Sequence, residues 1–169
     1  MKKYGCYITE FIIVGIVGSL WHFFYDWTNE NAFVGAFAPV NESTFEHLKL
    51  LFFPVLIYSV IEFFMLKDRP ENYISAASAG IFTGMLAITA FFYTYTGILG
   101  YNIMVLDILC YFIGLAVMLY TKKKIIDNGS FGSKTARYIF IITIILMGFL
   151  FVVWTHNPPT LGIFTPPAV

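Results

Sequence analysis

The sequence predicts an all-α fold, a polytopic transmembrane bundle of five helices, and composition and charge placement carry that prediction. Of 169 residues, 59% are hydrophobic and only 12% charged, against roughly 45–50% and 25% in soluble domains. The charges sit in short clusters between uncharged runs, each long enough for the roughly 20 helical residues that cross a bilayer's hydrocarbon. The alternating segments of a closed β-barrel, the other way to satisfy a backbone in lipid, are absent. The chain reads as one transmembrane domain.

The first span, about 4–25, follows Lys2 and Lys3. Glu10 and the lack of a small-x-small cleavage site set it apart from a removable signal peptide. The second, about 44–66, opens on the capping-box pattern Ser43-Thr44-Phe45-Glu46, and its Pro54 should bend the helix and free a carbonyl near Leu50. The third, about 74–95, carries Ser75, Ala76, Gly80, Gly84 and Ala87, a small-residue face suited to tight packing. Gly80 and Gly84 therefore mark a helix–helix partner face. The fourth and fifth, about 101–120 and 137–154, complete the bundle. No internal repeat supports an inverted-repeat transporter. Cys6 and Cys110 lack CxxC spacing, so neither a disulfide framework nor a thiolate zinc cluster is indicated.

Every Lys and Arg except Lys49 falls on one side of these spans. The positive-inside rule then places the amino terminus in the cytoplasm and the Pro-rich tail, 157–169, outside. Ten basic and ten acidic residues balance, which leaves no basic field for nucleic acid. Membrane lipid is the expected partner.

This topology collects the polar residues at the outer helix ends. His22, His47 and His156 lie there with Asp26, Glu30, Glu42 and Glu46, and Asp107 lies about two turns deeper. Gly15, Ser19, His22 and Asp26 share one helical face, as do Asp107, Cys110, Tyr111 and Gly114. Imidazole and carboxylate donors suit a divalent transition metal, zinc first, then iron or manganese. The candidate ligands are His22, Asp26, His47, Asp107 and His156. Glu46 and Glu42 are candidates for holding those ligands or acting as general base, and Lys49 for holding an anionic headgroup.

Simpler roles compete at each position. Glu46 fits a capping box, Glu42 the helix dipole, His22 an interfacial hydrogen bond, and His156 an exposed turn. Asp107 can pair with Lys49 or a tyrosine hydroxyl. Asn41-Glu42-Ser43 is formally a glycosylation sequon. Glu10 and Glu62 can snorkel or pair near the inner lysines, and Lys122-Lys123-Lys124 reads as a topological anchor.

The run Trp21-His22-Phe23-Phe24-Tyr25-Asp26-Trp27, and the longer run from Ala38 to Pro54 containing Asn41-Glu42-Ser43-Thr44-Phe45-Glu46-His47-Leu48-Lys49, resemble a family of small bacterial integral-membrane proteins of unknown function with an Asn-Glu-Ser-x-x-Glu-His-Leu-Lys core. The likeness covers nearly the whole length, Asn157-Pro158-Pro159 included, although the residues after it depart from the pattern. It implies a bacterial cytoplasmic-membrane setting and supplies no activity. A weaker analogy, in chemistry alone, is to intramembrane metal hydrolases of the alkaline ceramidase type.

Three functions follow. The first is an outward-facing His/carboxylate site, metal-dependent and hydrolytic toward a lipid or amphiphile. The second is a small-molecule binding or transport subunit that uses Glu10 and Glu62 as an inward route. The third is a non-enzymatic membrane partner acting through the Gly80/Gly84 face.

Overall fold

The computed structural model describes residues 2–167, with side chains from Tyr7 onward. The side chains of Lys2, Lys3 and Cys6, and the tail residues Ala168 and Val169, lie outside the described residues. Helix α1 (Lys2–Trp21) leads through a turn into the short helices α2 (Phe24–Trp27) and α3 (Ala32–Gly35). Helix α4 (Thr44–His47) passes through Leu48 into α5 (Lys49–Met65), followed by α6 (Tyr73–Leu99), α7 (Met104–Asn128) and α8 (Lys134–His156). The described residues contain no strand.

Four helical segments are long and apolar enough to cross a membrane: Thr44–Met65, Tyr73–Leu99, Met104–Asn128 and Lys134–His156. The apolar stretch Tyr7–Trp21 of α1 is shorter. At 27 residues α6 rises about 40 Å, more than the hydrocarbon thickness, so a crossing helix of this length would tilt or protrude.

Several boundaries differ from the hydrophobic runs. Helix α1 stops at Trp21, because Phe23 N–H donates to the Leu20 carbonyl at 3.1 Å in a tightened last turn. The chain then swings away through Asn29 and Glu30, both at positive φ. Helix α7 continues beyond its apolar run to Asn128 and is closed by Gly129 at φ +68°, a left-handed position that favours glycine. The three consecutive lysines therefore lie on a helix, and Lys122 turns inward with 1% of its surface exposed.

Helix α1 packs against α5 and α7, while α6 packs against α7, α5 and α8. The small residues of α6 meet α7 of the same chain. A Cβ on Gly80 would lie 2.8 Å from the Met118 carbonyl, and one on Gly114 only 2.4 Å from Ile88. The α1–α5 contact uses the same device at Gly18, whose added Cβ would approach the Leu50 carbonyl to 2.7 Å. Leu50 is the residue whose i+4 donor Pro54 removes. Helix α8 buries little besides Ile144 and Phe151, the latter against Phe45 and Phe52.

At one end of the bundle Lys122 Nζ donates to both Glu10 oxygens at 2.8 and 2.7 Å and to Glu62 Oε2 at 2.7 Å. Tyr73 Oη donates to the same Glu62 oxygen at 2.5 Å. Three helices are thus tied by nearly fully buried ionic groups, and α6 joins them through the Tyr73 hydroxyl. Such groups are tolerated in an apolar interior only when paired. Lys122→Met alone should cost about 3–5 kcal/mol by stranding the two acids. Glu10→Leu/Glu62→Leu/Lys122→Met together should recover most of that loss in a thermal-unfolding series in detergent. Equal melting of the single variant and the parent would show that the tie contributes nothing.

Candidate metal centre

The opposite end of the bundle is organised by the segment Asn41–Lys49. Asn41 Oδ1 accepts from Ser43 N–H at 2.9 Å, fixing the turn that enters α4. Ser43 Oγ then accepts from Glu46 N–H at 3.4 Å as the helix cap. Only this half of the expected capping box forms. The Glu46 carboxylate instead reaches back to Val40 N–H at 3.0 Å and forward to Lys49 Nζ at 2.7 Å.

Lys49 is fully buried. Its ammonium also donates to the carbonyls of Gly35 at 2.8 Å and Ala38 at 3.2 Å, and to Thr155 Oγ1 at 2.5 Å. Thr155 Oγ1 lies 2.9 Å from Glu46 Oε1 and 2.7 Å from the Phe151 carbonyl. One lysine therefore ties the α3 connection, the start of α5 and the end of α8 together. With its donors committed to protein acceptors, Lys49 positions the loop and is not presented to an anionic headgroup.

Glu42 and His47 are aimed by that framework. His47 Nδ1 lies 3.0 Å from the Ser43 carbonyl. A carbonyl oxygen only accepts, so Nδ1 carries the proton and Nε2 is free for another role. His47 Nε2 lies 3.3 Å from Glu42 Oε2 and 3.3 Å from His22 Nε2, and His22 Nε2 lies 3.7 Å from Glu42 Oε1. These ligand atoms fall within 4.8 Å of one another, a group that could hold a metal ion. The group is reachable from solvent, because the Glu42 side chain is 66% exposed.

His22 Nε2 and His47 Nε2 lie within hydrogen-bond distance of each other and His47 Nε2 within that of Glu42, so a proton can be shared among them, and the same lone pairs could converge on a cation. With Nδ1–H held by the Ser43 carbonyl, the imidazolium form of His47 donates Nε2–H to Glu42. That bond chiefly holds the Glu42 carboxyl below the usual carboxylate range, against the opposing effect of burial. His22 Nδ1 is buried with no hydrogen-bond partner among the described residues.

The sequence-predicted ligands divide. His22 and His47 converge, and the carboxylate that reaches them is Glu42. Asp26 is exposed on α2, beyond the break that ends α1 at Trp21, and is not among the converging groups. Asp107 accepts from Tyr95 Oη and, at 3.1 Å, from Asn102 Nδ2 in the first turn of α7. His156 is exposed at the end of α8, and its neighbour Thr155 points into the Glu46–Lys49 framework. Thr155 and the Ser43 carbonyl were not singled out by sequence reasoning. Thr155 shows no motif, and a backbone acceptor has no sequence signature.

Comparison with known proteins adds a family and no activity. Neither a curated protein nor a solved structure matches the chain. A family model covers residues 2–168, so the chain belongs to the family of unknown function DUF6512.

Proposed function

We propose that this is a five-span membrane protein, amino terminus in the cytoplasm, which holds a divalent transition metal between His22, Glu42 and His47 on the non-cytosolic side and hydrolyses a lipid or amphiphile there. The observation that carries the reading is the convergence of three ligand atoms within 4.8 Å. Two imidazoles and one carboxylate form a three-ligand set that suits zinc and leaves a fourth position for water. Such an ion lowers the pKa of bound water to about 7 and polarises a carbonyl or phosphoryl oxygen. His47 presents Nε2 because Ser43 holds Nδ1, and a fixed outer partner of this kind raises ligand basicity. Glu46, Lys49 and Thr155 keep the loop in register. The orientation rests on Lys67, Arg69, Lys123, Lys124, Lys134 and Arg137, which cluster at the end away from the histidines.

Elemental analysis of detergent-purified protein should find one transition-metal ion per chain, zinc foremost. His22→Ala and His47→Ala should each reduce it to background, while Asp26→Asn and His156→Ala retain it. No bound metal in the parent protein, together with melting unchanged by chelator, would remove the metal reading.

Acid should act through Glu42. Its folded-state pKa is depressed below the ordinary 4.5, so its contribution to stability is present above that value and is lost as pH falls through the depressed one. In chelator, the stability gap between the parent and Glu42→Gln should be present at about pH 5.5 and close on further acidification. A gap that widens toward acid would contradict the assigned sign.

A further inference from the structure

Beside the metal centre runs a groove of about 300 Å³ whose lining is entirely apolar. Trp21 and Phe24 form one wall, Phe33 and Phe37 the roof, and Phe53 and Ile57 of α5 the floor. The walls are fixed. Trp21 Nε1 donates to the Phe37 carbonyl at 3.0 Å, the Trp21 and Phe24 rings lie 4.8 Å apart, and Phe37 meets Phe53 edge-on at 5.3 Å.

The surroundings of the groove bear on what fills it. Phe33 is 76% and Ile57 46% exposed, and Ile61 and Phe64 continue the exposed apolar face along α5, a helix suited to cross a membrane. An apolar hollow open to hydrocarbon is filled by hydrocarbon and not by water. The volume is at the small end of ligand sites. Finally, Trp21 and Phe24 flank His22 in sequence, and Phe53 lies six residues beyond His47, about 9 Å deeper along the helix, so the groove begins near the depth of the histidines and runs inward from it. A chain lying in the groove would bring its polar head to the depth of the histidines.

We propose that the groove binds one acyl chain of a membrane amphiphile whose carbonyl or phosphoryl head reaches His22, Glu42 and His47. This rests on the metal-centre reading and names the substrate class of that site. The chain passes from bilayer hydrocarbon into an equally apolar groove, so its hold comes from packing against the fixed ring walls and from the head at the polar site, not from removal of water.

The test uses the full chain in nanodiscs of saturated phosphatidylcholine, with Trp27→Phe and Trp154→Phe leaving Trp21 as the single tryptophan. The probe is lysophosphatidylcholine with a brominated acyl chain, titrated with zinc present and in chelator. The expected result is saturable quenching of Trp21 that Val34→Phe abolishes by filling the groove, with affinity about tenfold weaker in chelator. Quenching that rises linearly with probe, as surrounding bilayer lipid alone produces, would overturn the proposal. So would a stable dimer without saturable quenching, which would place a second copy in the groove. Saturable quenching insensitive to chelator would overturn the link between groove and metal. Bound zinc, measured on the same samples, distinguishes failure of the groove, with zinc retained, from failure of the metal centre, with zinc absent.

Discussion

The buried ammonium of Lys49 is the constraint on which the histidine end depends. A lone charge in an apolar interior is untenable. Satisfying this one requires the Gly35 and Ala38 carbonyls, the Glu46 carboxylate and the Thr155 hydroxyl to meet at one point. That requirement folds the connection after α2 back over the bundle and fixes the entry to α4. It leaves Glu42 and His47 with little choice of position. The convergence with His22 is thus a by-product of satisfying a lysine, and the framework and the candidate centre belong to one hydrogen-bonded unit.

The helical class was legible because hydrocarbon imposes a length and an apolar composition on anything that crosses it. The packing of Gly80 and Gly84 against a neighbour was legible for a related reason, since small residues at spacing four have few other uses in such a helix. The Asn41–Lys49 segment stood out as a dense polar run, and His22 and His47 stood out as imidazoles at one level.

Other features depended on phase and on contacts distant in sequence. Asp26 follows His22 by four residues, but the turn at His22 and Phe23 breaks the face they would have shared. His156 and Thr155 are adjacent, so helical phase decides which of them enters the bundle, and it selects Thr155. Lys122 looked like one more cation in a basic run. Only the length of α7 and the depth of Glu10 and Glu62 turn it into a cross-helix tie. Hydropathy gives depth along a helix, whereas partner choice needs rotation about its axis.

Lys49 is the one cation that breaks the basic asymmetry of the chain, and its ion pair has a consequence for biogenesis. Glu46 sits one turn before it and meets it at 2.7 Å, so acid and base can enter the translocon as a neutral couple formed by local sequence alone. The topogenic signal then rests on the loops at the far end, and the exception costs the nascent chain little in choosing its direction of insertion.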